Sequence, residues 1–130
     1  MEWVLAYVMK GVAGRILIVD DEPLVHEMLR NFLARSHEVA TAASGTEALR
    51  IVPVFQPDVI LTDMTMPGMS GADLLDALRQ AGVSVPVILM SGKPITMPEG
   101  FFGLLQKPFD LRMLAAVVTA ALDHGGSDRA

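Results

Sequence analysis

From Arg15 onward, apolar runs too short to be helices alternate with longer amphipathic stretches, and most of the runs end on a polar residue. Ile16 to Val19 is the first run and ends in Asp20 and Asp21. Val25, Met28, Leu29, Phe32 and Leu33 then recur at helical spacing, with Leu24 beside them, and Pro23 suits a first helical turn, where its missing N–H costs nothing. Glu38 to Ala43 reads as a weaker strand. Ser44 to Glu47 reads as a capping box opening a second helix, in which Pro53 predicts a kink or an early end near Val52. Val59 to Asp63 is a third strand. Ser70 to Asp73 is a second capping box, with Leu74, Leu75 and Leu78 following on one face. Val85 to Met90 predicts a fourth strand ending at Ser91, and Phe102 to Gln106 a fifth ending at Lys107 and Pro108. Asp110 caps a last helix through Leu122, with Gly125 and Gly126 as its stop. Strands this apolar must be buried on both faces, so the alternation implies a parallel sheet covered by helices on both sides.

Composition narrows the function classes. A chain of 130 residues fits one domain, and 52% hydrophobic with 19% charged residues argues for a core and against disorder. A net charge of −5 leaves no footprint for nucleic acid. Cysteine is absent, which excludes disulfides, thiolate metal sites and thiol redox chemistry. The apolar stretches fall far short of a membrane span. Residues 1–14 form an N-terminal extension. Its apolar run from Trp3 to Met9 follows an acidic residue and precedes Lys10, the reverse of a signal peptide's order. It is either a short helix packing on the domain or a partner, or the product of a start placed too early, since Met9 would also serve as a start. Residues 15–124 are the folded domain, and 125–130 a C-terminal tail. No output domain is expected within these 130 residues.

In an open parallel sheet, ligands bind at the carboxyl ends of the strands. The residues found there are Asp20 and Asp21, then Asp63, Ser91 and Lys107. Clustered carboxylates repel one another unless a cation sits among them. Oxygen ligands suit Mg²⁺, which binds through one or two carboxylates plus phosphate oxygens. With the lysine, such a metal could neutralise a transferring phosphoryl group, Ser91 could hydrogen-bond one of its oxygens, and Asp63 would be the nucleophile. Each piece alone is ordinary: an Asp pair is usually a cap or a solvated turn, and a Ser after a strand is usually a turn residue. Their joint placement at successive strand ends carries the reading.

Four ordered segments carry a family resemblance: ILIVDDEP (Ile16 to Pro23), VILTDMTMPGMSG (Val59 to Gly71), PVILMSG (Pro86 to Gly92) and QKPF (Gln106 to Phe109). With the intervening helices, residues 15–123 resemble the receiver domain of bacterial two-component response regulators. The resemblance implies the α/β flavodoxin-like, CheY-like fold, a doubly wound five-stranded parallel sheet of order 2-1-3-4-5. It implies that Asp63 accepts the phosphoryl group. It also implies that Asp21, Asp63 and the backbone carbonyl of Thr65 bind Mg²⁺ directly, that Asp20 contacts the metal's waters, and that Ser91 and Lys107 hold phosphoryl oxygens. Met64, Thr65, Gly92 and Lys93 would flank the site, and Pro67 and Gly68 would shape the loop after the acceptor. The donor would be a phosphohistidine on a sensor histidine kinase or a histidine phosphotransfer protein. The module would work in the cytoplasm, in two-component signalling or a phosphorelay. It would catalyse its own phosphorylation and slow dephosphorylation without being an enzyme in the turnover sense, and would make no contact with nucleic acid or membrane.

Two departures from the family pattern qualify this. The stretch from Ser91 to Lys107 is several residues shorter than usual, and Lys93 to Gly100 carries two prolines. A proline inside a helix costs about 3 kcal/mol, so the family's fourth helix should be shortened or absent. A symmetric dimer through that helix's face is then not expected, which resembles stand-alone receivers and those attached to hybrid sensor kinases. The switch position, commonly aromatic, is Leu104, and Phe101 and Phe102 nearby read as core or strand-edge residues. Three other functions compete. A haloacid-dehalogenase-like phosphatase would also use Asp63, but it places its nucleophile after the first strand and carries late metal-binding acids that this chain lacks. A degenerate receiver would have lost an acid or the lysine. A transcription factor would need a DNA-binding domain.

Overall fold

The computed structural model describes residues 14–129, so the expectations for the N-terminal extension lie outside the described residues. Five parallel strands, β1 (Arg15–Val19), β2 (Glu38–Ala42), β3 (Val59–Asp63), β4 (Val87–Ser91) and β5 (Gly103–Gln106), form one sheet in the order β2-β1-β3-β4-β5. Four helices connect and cover it: α1 (Pro23–Leu33), α2 (Gly45–Phe55), α3 (Gly71–Gln80) and α4 (Leu111–Arg129). This is the doubly wound arrangement expected from the alternation, with β1 and β3 adjacent where the chain reverses its direction of travel across the sheet.

Alternate residues of the central strands feed two apolar layers. Leu17, Val19, Ile60 and Leu89 pack with Val52 of α2 and with Leu74 and Leu78 of α3. Ile16, Ile18, Leu61 and Met90 pack with Leu29 and Leu33 of α1 and with Leu114 and Val118 of α4. In α1, Met28 joins Leu24 on the exposed side instead of the core face that its spacing suggested.

No helix forms between β4 and β5. Residues 92–102 cross in irregular backbone, and Ile95, Phe101 and half-buried Leu104 pack against the α2–α3 layer there. Phe101 is a core residue, while Phe102 lies in the opposite layer with its ring 5.4 Å from that of His124.

Several local expectations are corrected. Pro53 does not stop α2 at Val52. The helix runs on to Phe55 and closes at Gln56, whose left-handed backbone (φ 53°) lets its N–H donate to the Val52 carbonyl. Pro53 lies in the last turn on the exposed side, where it forfeits one intrahelical bond and only Val54 and Phe55 follow it in the helix. The box at Ser44 is half formed: its hydroxyl accepts from Glu47 N–H, but the Glu47 carboxylate reaches one residue further back, to Ala43 N–H. At Ser70 and Asp73 both halves are present. Strand β4 begins at Val87, not Val85, because the preceding Pro86 has no N–H and joins the ladder only through its carbonyl, which accepts from Ile60. Helix α4 passes through Gly125 and Gly126 to Arg129. Glycine weakens a helix by about 1 kcal/mol per residue, and does not by itself terminate one.

Gly71 is fixed by close approach. A Cβ there would sit 2.6 Å from the Asp63 carbonyl oxygen and 3.2 Å from Met64 Cα, so the first residue of α3 can lie against the end of β3 only as glycine. Gly71→Ala is expected to cost about 1–3 kcal/mol, as overpacking against backbone does. A urea titration with an unchanged midpoint would show that the contact yields freely.

Candidate functional site

The parallel register delivers the polar residues to one lip. Val19 pairs with Thr62 and Asp63 with Met90, so Asp20, Asp63 and Ser91 each stand at or just past the end of their own strand. Asp20 is 1% exposed. Its Oδ1 accepts from Glu22 N–H at 2.9 Å, closing a turn that carries the chain into α1 and leaves Asp21 exposed at the rim. Asp63 closes β3, and Lys107 leaves β5 toward both acids. The ammonium lies 3.1 Å from Asp63 Oδ1 and 3.3 Å from Asp20 Oδ2.

One carboxylate oxygen from each of Asp20, Asp21 and Asp63 lies within 4.8 Å of the other two. Octahedral Mg²⁺, with oxygens about 2.1 Å from the ion, holds pairs of ligands about 3 to 4 Å apart. A slight inward movement of these side chains would therefore close them on one ion, and the donor set is all oxygen. The residues fit a hard divalent cation.

Electrostatics agree with that. Burial pushes the Asp63 carboxyl above its ordinary 3.8; the hydrogen bond and charge of Lys107 pull it down; the charges of Asp20 and Asp21 push it up again, and the net direction is upward. For Lys107, burial opposes the charge, but its hydrogen bond to Asp63 and the neighbouring carboxylates outweigh burial and raise its pKa above 10.5. By count, three carboxylates face one ammonium here.

The structure brings Asp20, Asp21, Asp63 and Lys107 together as the sequence indicated. Ser91 lies on the neighbouring strand, 4% exposed, with its hydroxyl turned onto its own loop: Oγ donates to the Lys93 carbonyl at 2.8 Å and accepts from Lys93 N–H at 3.1 Å. Thr65, Gly92 and Lys93 are exposed and Met64 is half-buried, all in the loops bordering the lip. Leu104 pairs with Leu89 in the sheet, away from the acids. Sequence reasoning passed over the groups that hold the acceptor's backbone. The Met64 N–H donates to the Met90 carbonyl at 2.9 Å, the Met64 carbonyl accepts from Gly71 N–H at 2.8 Å, and the Thr62 hydroxyl donates to the Asp63 carbonyl at 3.0 Å. The signals available were a glycine directly after a helix-capping serine and a single hydroxyl in an apolar strand.

Because folded Asp63 binds its proton more tightly than the unfolded chain does, its contribution to stability is full below the ordinary carboxyl pKa and is lost as pH rises through the raised folded value. Asp63→Asn removes the charge. Without divalent metal at pH 7, that variant is expected to melt about 3–5 °C higher than the parent, with a flatter pH profile. A lower melting temperature would mean that the Lys107 pairing, not repulsion, dominates at this position.

A family model described as the response regulator receiver domain matches residues 16–119. The DNA-binding response regulator MtrA of Mycolicibacterium smegmatis is 36% identical over 121 residues, which cover 88% of this chain and 53% of that protein. The chain spans about half the length of most of the curated relatives it matches. Among solved structures, a response regulator receiver domain protein from Clostridium thermocellum superposes with a TM-score of 0.78 at 33% identity, covering 85% of this chain and 94% of that one. The signal receiver domain of a signal transduction histidine kinase from Syntrophus aciditrophicus gives 0.76 at 30% identity, covering 86% and 92%. The match runs from the first strand into the last helix, and the chain therefore belongs to the response regulator receiver domain family, the receiver module of two-component signalling.

Proposed function

We propose that this chain takes a phosphoryl group onto Asp63 from a phosphohistidine, carried by a sensor histidine kinase or a histidine phosphotransfer protein, in a Mg²⁺-dependent reaction in the cytoplasm. The observation that carries the reading is the Lys107 ammonium on Asp63, 3.1 Å away, beside the Asp20, Asp21 and Asp63 oxygens. A carboxylate oxygen of Asp63 attacks phosphorus, the bond from phosphorus to the donor imidazole nitrogen breaks, and the departing nitrogen keeps the electron pair. Lys107 neutralises charge on the phosphoryl oxygens. Asp20 holds Lys107 over Asp63 and is itself held by Glu22 N–H. Asp21, Asp63 and the Thr65 carbonyl would hold Mg²⁺ directly and Asp20 would contact its waters, and the ion would supply further charge neutralisation.

Ser91 takes one phosphoryl oxygen after turning from the Lys93 carbonyl. Later hydrolysis of the acyl phosphate resets the site, so the chain promotes its own phosphorylation and dephosphorylation and turns over no separate substrate. No helix among the described residues is long and apolar enough to cross a membrane. The face that lacks the family's fourth helix offers no symmetric dimer contact through such a helix, so output runs through another surface or through the phosphoryl group alone.

Beryllofluoride with millimolar Mg²⁺ is expected to raise the melting temperature, and a ligand at a hundred times its Kd adds about 2.7 kcal/mol to stability. Asp63→Asn should abolish that shift together with labelling by acetyl phosphate, and Lys107→Ala should slow labelling by about 10²-fold or more. Stoichiometric labelling of Asp63→Asn at the parent rate would falsify the assignment.

A further inference from the structure

Strand β3 is buried along its length, and its interior residues are apolar except for Thr62, whose side chain is 0% exposed. A hydroxyl in such a place is costly unless bonded, and valine would fill the same volume without that cost. The Thr62 hydroxyl is bonded, to the carbonyl oxygen of the next residue, Asp63, at 3.0 Å. That carbonyl lies beyond the sheet's own reach: the register of β1 against β3 ends at Val19 and Thr62, so Asp63 has no paired residue on β1.

We infer that Thr62 is a positioning residue for the acceptor, its hydroxyl locking the peptide plane between Asp63 and Met64 so that the Asp63 carboxylate meets Lys107 and the acidic pair. The same peptide is held at its other end by the Met64 N–H on the Met90 carbonyl, and the following carbonyl by Gly71 N–H. Three hydrogen bonds on consecutive backbone groups fix the direction in which the chain leaves β3. That direction sets both the carboxylate of Asp63 and the backbone at Thr65. A free Asp63 carbonyl would let this plane rotate, moving the carboxylate relative to an ammonium 3.1 Å away and to oxygens gathered within 4.8 Å.

The catalytic part of this inference rests on the phosphoacceptor reading; the structural part does not. The test compares Thr62→Val, which keeps the volume and loses the hydroxyl, with Thr62→Ser, which keeps the hydroxyl and loses a methyl. Two readouts are taken: amide exchange at Met64 and Gly71 without metal, and Mg²⁺-dependent beryllofluoride affinity by calorimetry. Thr62→Val should exchange faster at both amides and bind beryllofluoride about three- to tenfold more weakly, the equivalent of one hydrogen bond. Thr62→Ser should bind within about twofold of the parent even though the lost methyl lowers its melting temperature. Unchanged exchange in Thr62→Val overturns the lock. Faster exchange with parent-like affinity overturns the positioning role, and so does a Thr62→Ser variant as weak as Thr62→Val. If the parent itself binds no beryllofluoride, the phosphoacceptor reading and the positioning role fall together, and exchange alone decides whether the lock exists.

Discussion

Three carboxylates and one ammonium share the carboxyl lip of the sheet, and the rest of the molecule is arranged around holding them there. Left alone, such acids would separate into solvent. Asp20 and Asp63 cannot, because Asp20 is almost fully buried with each oxygen engaged, one by the Glu22 amide and one by Lys107, while Asp63 ends a strand packed on both faces. Three carboxylates thus face one ammonium, and burial, more than the neighbouring acids, raises the proton affinity of Asp63. A divalent cation relieves that imbalance, and so binding and ionisation of Asp63 reinforce each other.

The scaffold does this with backbone as much as with side chains. Asp63 would be aimed loosely if β3 simply frayed at its end. Instead α3 begins directly against it: Ser70 and Asp73 cap the helix reciprocally, and Gly71 lets the helix start at van der Waals contact with the Asp63 carbonyl. Gly68, with φ 82°, allows the intervening loop to double back in so few residues. Motif residues that carry no functional group therefore matter as much to the acceptor's direction as those that carry one.

This explains what the sequence disclosed and what it withheld. The strands were readable because a parallel sheet buried on both faces demands continuous apolar runs, and Ile16 to Val19 or Val87 to Met90 can be little else. The chemical residues were readable because each follows such a run. The missing helix was readable from Pro94 and Pro98, whose cost falls on the helix interior. Pro53 misled for a related reason: a proline in the last turn forfeits one hydrogen bond with only two helical residues after it, and its place in the helix depends on where Gln56 turns left-handed, which no local pattern announces. Met28 misled because helical spacing gives a face, not its width. The Gly71 contact was out of reach, since it depends on the distance between β3 and α3, and the Thr62 bond depends on a side-chain rotation and backbone exit at the end of β3 that no residue pattern specifies.

The irregular crossing between β4 and β5 bears on how such a site could be read by the rest of the molecule. Leu104 has no hydroxyl and no ring dipole to follow a charge, so a switch working through that side chain has little to act on. The Ser91 hydroxyl is better placed. It has one proton, now donated to the Lys93 carbonyl, and it cannot donate that proton to a phosphoryl oxygen at the same time. A phosphoryl group, if Asp63 carries one as proposed, would therefore compete with the Lys93 carbonyl for that proton, and the other acceptor would need a new donor. In a helix, a released carbonyl near the start would be taken up by the helix's own ladder. Residues 92–102 form no such ladder and are anchored by Ile95, Phe101 and Phe102, so the Lys93 carbonyl has no helical donor to turn to.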